Sequence, residues 1–91
     1  MYEKKTTIIN EAGLHARPAS ELVKKAKTYE ANVTIRKLNE ELSVDAKSLL
    51  RVLAGGFIKD TQVAIAADGP DEVKAVEELV GLVRSRFGEE V

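Results

Sequence analysis

Lys4-Lys5-Thr6-Thr7-Ile8-Ile9-Asn10-Glu11-Ala12-Gly13-Leu14-His15-Ala16-Arg17-Pro18-Ala19 contains the change of period on which the fold turns. Its opening, Lys4 to Ile9, is rich in β-branched side chains and predicts a strand. Asn10 to Gly13 reads as a loop. From Ala16 the apolar residues recur at steps of three and four, through Ala19, Leu22, Val23, Ala26 and Tyr29, which is one face of a helix. Pro18 falls in the first helical turn, where a missing N–H breaks no hydrogen bond, so the helix begins at His15 or Ala16.

Outward from that stretch, Val33 and Ile35 alternate with Thr34 and Arg36, a half-buried strand. A turn at Asn39-Glu40-Glu41 leads into a short strand through Leu42 and Val44. Lys47 to Leu53 reads as a short helix stopped by Gly55-Gly56. Val63, Ile65 and Ala67 alternate as a last strand. After Asp68-Gly69-Pro70, a turn, Val73, Val76, Val80, Val83 and Phe87 mark a long amphipathic helix, with Arg84 and Arg86 in its last turn and a stop at Gly88. The order β-α-β-β-α-β-α implies an α+β sandwich, a mostly antiparallel sheet with helices on one side.

The 91 residues suffice for one domain, 1–91, and are too few for two. The chain has no cysteine, which excludes disulfides, thiolate metal sites and a catalytic thiol. With one histidine, no metal-ligand set is expected either. The opening Met1-Tyr2-Glu3-Lys4-Lys5 has no apolar core of a signal peptide, and no apolar run reaches membrane-spanning length, so a cytoplasmic protein without membrane insertion is expected. A net charge of −1 gives no reason to expect nucleic acid. The distribution is uneven, with Lys24, Lys25 and Lys27 early and Asp68, Asp71, Glu72, Glu77 and Glu78 late. A basic face of that kind can steer an acidic partner.

Chemistry concentrates in Gly13-Leu14-His15-Ala16-Arg17-Pro18-Ala19-Ser20. The first turn of a helix carries N–H groups without intrahelical acceptors and a partial positive charge, and so favours anions. A phosphate near His15 would accept from the backbone of Ala16 and Arg17, and the Arg17 guanidinium would add a charged fork. The same field disfavours an imidazolium and favours a neutral, nucleophilic ring. By itself a His-x-Arg pair reads sooner as an ordinary helix-capping histidine beside a solvated arginine, because surface pairs of this kind are common and usually weak.

The stretch from Gly13 to Ala19 resembles the signature of HPr, the histidine-containing phosphocarrier family of the bacterial phosphoenolpyruvate:sugar phosphotransferase system. Ala46-Lys47-Ser48-Leu49-Leu50 resembles that family's second signature, and Asp68-Gly69-Pro70-Asp71-Glu72 its final strand-to-helix turn. The resemblance implies an open-faced β-sandwich, four antiparallel strands covered on one face by three helices. It implies that His15 accepts phosphate on Nδ1 from phosphorylated Enzyme I and donates it to the A domains of sugar permeases. Arg17 would stabilise the group in transit, and no cofactor would be held. Ser48 matches a serine phosphorylated by HPr kinase/phosphorylase where that enzyme exists, a modification read by a transcriptional regulator; the plain alternative is a helix N-cap. Residues matching Ser20, Leu49, Leu50 and Leu53 form an exposed apolar docking patch in the family, ringed here by Lys24, Lys27 and Arg51. Helical spacing alone places at least one of those leucines in the core. A monomer is expected.

The chain departs from the pattern at Glu11-Ala12, where many relatives have a small polar residue before the signature glycine, and at Ser48-Leu49-Leu50-Arg51. Its tail, Gly88-Glu89-Glu90-Val91, is longer than in some relatives, so no contact between a terminal carboxylate and Arg17 is carried over. Competing readings are a paralogue serving a nitrogen-related phosphorelay, a purely regulatory protein modified at Ser48, and a generic ligand-binding domain. The presence of His15 argues against the regulatory class, whose members lack it.

Overall fold

A computed structural model describes residues 1–88. The elements are β1 (Tyr2–Thr7), α1 (Ala16–Ala26), β2 (Asn32–Lys37), β3 (Val44–Asp45), α2 (Leu49–Ala54), β4 (Gln62–Asp68) and α3 (Glu72–Arg84), followed by a 3-10 turn at Arg86–Gly88. The strands form one antiparallel sheet in the order β1-β4-β2-β3. The expected α+β sandwich with three helices is the fold observed.

Strand pleating sorts the residues into two faces. Lys4, Ile65 and Ile35 share a register row, and Ile65 and Ile35 are buried in the core with Val33, Val63 and Ala67. The helices cover this face with Leu22, Val23, Val52, Val76, Leu79 and Val83. Each such side chain, fully buried, contributes about 1.5–3 kcal/mol. On the opposite face, β4 carries Ala64 and Ala66, which are buried as well. Ala64 lies between Lys5 and Arg36, and Ala66 between Glu3 and Thr34. An Arg36–Glu3 contact at 3.8 Å spans from β2 to β1. Small residues on the central strand thus lie low between longer polar neighbours.

Several element boundaries differ from the sequence reading. The first strand covers Tyr2–Thr7 rather than 4–9, because Ala67 and Ala66 extend far enough to pair Tyr2 and Glu3. Ile8 leaves the ladder but stays in the core, and its backbone bonds Thr61 and Asp60 instead. Leu42 is 81% exposed and lies outside β3. Helix α1 stops at Ala26, and Tyr29 is buried from the turn beyond it, donating from its hydroxyl to Glu78 on α3. Burial, then that carboxylate, pushes the Tyr29 phenol up. Helix α2 begins at Leu49, not Lys47, because Lys47 is drawn away: its Nζ donates to the Tyr29 carbonyl (2.8 Å) and its N–H to Asp45 Oδ1 (2.9 Å). In α3 the buried stripe is Ala75, Val76, Leu79, Val80 and Val83, and Val73 is 52% exposed. Phe87 is buried, yet it lies beyond the helix with φ +57°.

The Asp68–Asp71 turn locks the start of α3 to the segment that leads from α1 into β2. Gly69, with φ +156°, lies so close to Ala31 that a Cβ there would sit 2.6 Å from the Ala31 Cα. Asp71 accepts from the N–H groups of Glu30 and Ala31, both at 2.9 Å. Among the described residues no helix is long and apolar enough to cross a membrane.

Candidate functional site

The loop before His15 is fastened on both sides. Within it, the Gly13 N–H donates to the Asn10 carbonyl (3.0 Å), and the buried Asn10 returns Nδ2–H to the Gly13 carbonyl (2.5 Å). Across from it runs the segment after α2. Ile8 N–H donates to Thr61 (2.9 Å), Asp60 N–H to Ile8 (2.7 Å) and Leu14 N–H to Phe57 (2.8 Å). Gly13 makes this approach possible. Its φ is +64°, and a Cβ there would stand 2.5 Å from the Phe57 carbonyl oxygen. Only glycine meets both demands without strain.

His15 emerges from this frame as the N-cap residue of α1, with extended backbone (φ −76°, ψ −174°) and an exposed side chain. Its carbonyl accepts the first helical bond, from Ala19 (2.9 Å), while its ring makes no cap hydrogen bond. The capping role open to His15 on sequence is therefore not the one its side chain takes. The N–H groups of Ala16 and Arg17 belong to the first turn and have no acceptor within the helix. Pro18 is buried at the next position. No acidic side chain occupies this first turn, so the dipole end is not countered from within the helix.

His15 and Arg17 line an open groove of about 770 Å³ together with Glu11, Lys59, Asp60 and Arg86. Lys59 Nζ donates to Glu11 Oε1 at 2.8 Å. That contact is the main reason the Glu11 carboxyl sits below its usual range and the Lys59 ammonium above its own. Both side chains are solvated, so the pair adds little stability. Of the groove's charged residues, the sequence reading found His15 and Arg17. Lys59 lies in no motif and the apolar pattern places Arg86 in the last turn of a helix; only the fold brings both into the groove of His15.

A second group of residues lies on α1 and α2, which pack together. Ser20 and Lys24 are exposed on the first, with Lys27 just past its end, and Leu49, Leu50, Arg51 and Leu53 on the second. Leu49 is 41%, Leu50 79% and Leu53 42% exposed. The expectation from helical spacing that one of these leucines is buried is wrong. In a helix of this length only Val52 turns to the core, and it is the buried residue. Ser48 caps α2, its hydroxyl accepting from the Arg51 N–H at 3.3 Å. Among the described residues no three His, Cys, Asp or Glu side chains form a group able to hold a metal ion.

A family model described as PTS HPr component phosphorylation site matches residues 2–85. The phosphocarrier protein HPr of Vibrio cholerae serotype O1 is 45% identical over 83 residues, covering 91% of this chain and 95% of that protein. The phosphocarrier protein HPr of Cupriavidus necator is 40% identical over 91 residues, covering 98% of each. The crystal structure of HPr-C-His from Thermoanaerobacter tengcongensis superposes with a TM-score of 0.93 at 37% identity, over 100% of both chains. The chain belongs to the HPr family, the phosphocarriers of the phosphotransferase system.

Proposed function

We propose that His15 is the phosphoryl carrier. Its Nδ1 lone pair forms a bond to phosphorus as the bond from phosphorus to phosphorylated Enzyme I breaks, and the donor leaves with that electron pair. In the second half the A domain of a sugar permease attacks phosphorus, and His15 departs as a neutral ring. The observation that carries this reading is the exposed ring of His15 at the start of α1, in a groove it shares with Arg17. The backbone of Ala16 and Arg17 would bind phosphoryl oxygens, and the Arg17 guanidinium would neutralise charge that builds up during transfer. Ser20, Leu49, Leu50 and Leu53, within the ring of Lys24, Lys27 and Arg51, would dock both partners: an apolar centre with a charged rim suits a transient interface.

The test is incubation with Enzyme I and phosphoenolpyruvate. The expected product is a phosphate labile in acid and stable in base, absent in His15→Ala. No label, or a label that survives the substitution, refutes the assignment.

Ser48 would be a control point for the same docking surface. Its hydroxyl is half-buried and engaged in the cap, directly before Leu49 and Leu50. Phosphate there would be favoured by the start of α2 and would place negative charge beside the apolar patch, weakening one set of partners and recruiting a regulator. Treatment with ATP and HPr kinase/phosphorylase should yield an acid-stable phosphoserine, lost in Ser48→Ala; with no such product, Ser48 is only a cap.

A further inference from the structure

The groove holds one arginine whose position nothing in the His15 motif accounts for. Helix α3 ends at Arg84, and the chain then makes an abrupt turn: Arg86 and Phe87 both have φ of +57°, and Gly88 has +75°. Two successive L-residues in the left-handed region are unfavourable and persist only where the surroundings impose them. Here the anchor is Phe87, whose ring is 5% exposed in the core. The Gly88 N–H donates to the Ser85 carbonyl at 3.1 Å and closes the turn. The result is that Arg86 lines the groove with His15 and Arg17 instead of continuing the helix.

The other charges of the groove indicate what Arg86 is for. Glu11 is engaged by Lys59. Arg17 and Arg86 are the groove's two guanidinium groups, and they arrive from the start of α1 and from beyond the end of α3. A phosphoryl group on His15 brings close to two negative charges, against the single positive charge of one arginine. Arg86 is also close enough to act electrostatically on Glu11 and Lys59 across the groove. We propose that Arg86 is a second guanidinium contact for the phosphoryl group carried by His15, reaching it from beyond the end of α3 as Arg17 does from the start of α1. This rests on the assignment of His15 as the carrier.

The experiment measures the rate of phosphoryl transfer from Enzyme I to the full chain in wild type, Arg86→Ala, Arg86→Lys and Arg84→Ala, with thermal melts of each. The expected result is a loss of about tenfold for Arg86→Ala, the size of one exposed charge-assisted contact. Arg86→Lys should be intermediate, and Arg84→Ala, two residues earlier on the helix, should match wild type. Because Arg86→Ala could loosen the Phe87 turn, a second measurement uses the wild-type protein: the Arg86 Nε–H resonance should shift when His15 is phosphorylated. Wild-type rates in both Arg86 variants, or an Nε–H resonance that does not move, overturn the proposal while leaving His15 as carrier. Failure of the wild type to take up label at all overturns both.

Discussion

A single missing side chain sets the geometry of His15. Gly13 lets the loop meet the Phe57 carbonyl, and the 2.8 Å bond from Leu14 to that same carbonyl then fixes where the next residue stands. Gly13→Ala should therefore lower stability by about 2 kcal/mol or more, from left-handed strain together with displacement of the 57–58 backbone. A thermal or urea melt measures the loss. Labelling of His15 should fall as well, because the displaced backbone is the one that positions it. Arg17 acts differently, since it is exposed and on the first turn of α1. Arg17→Ala should slow transfer roughly tenfold or more, with a change in stability under about 0.5 kcal/mol; equal rates in a transfer assay would remove its role.

At the scale of elements, α2 presents its core contact and its proposed docking residues on different faces. Val52 alone is buried, and Leu50 is 79% exposed. Leu50→Glu should leave the melting temperature nearly unchanged and weaken binding to Enzyme I in a calorimetric titration, whereas Val52→Ala should cost about 1–3 kcal/mol of stability. The turn into α3 adds a pH dependence. Bonds from the Glu30 and Ala31 N–H groups hold the Asp71 carboxyl below its usual 3.8. A depressed carboxyl contributes its stability in full above the unfolded value and loses it as the pH falls through the folded one. Asp71→Asn should thus melt lower than wild type at neutral pH, and the gap should narrow once the pH drops below 3.8. Melts from pH 2 to pH 7 would show it.

These elements also show what can be read from sequence. Period and punctuation disclosed β2, β4, α1 and α3, because each carries a regular apolar stripe against one core. The start of α1 was legible for the same reason, with Pro18 marking the first turn. The boundaries that moved did so for reasons outside the local pattern: Tyr2 joins β1 because β4 is long enough to pair it, and Lys47 leaves α2 because Tyr29 accepts its ammonium. Leucine spacing in α2 misled because one short helix on a small domain has a single residue to give the core. Arg86 was hidden by the left-handed turn, which no spacing rule anticipates.

Across the whole molecule, the residues proposed for transfer and docking gather where α1 begins, α2 sits and α3 ends, while the core beneath is built largely of valine and alanine around a few larger side chains. Leu79 is among the largest fully buried ones. Leu79→Ala should cost about 2–5 kcal/mol, a large share of the 5–15 kcal/mol typical of a whole domain, and a urea melt would register it as a lower midpoint. The sheet order has a consequence for synthesis. β1 and β2 never touch each other as neighbours; both hydrogen-bond to β4, whose residues 62–68 are translated after them. A ribosome adding about 5–20 residues per second therefore exposes β1 with no partner, and β2 with only the two-residue β3, until β4 emerges. The nascent chain unites its sheet in one late step, when Gln62–Asp68 slides between β1 and β2.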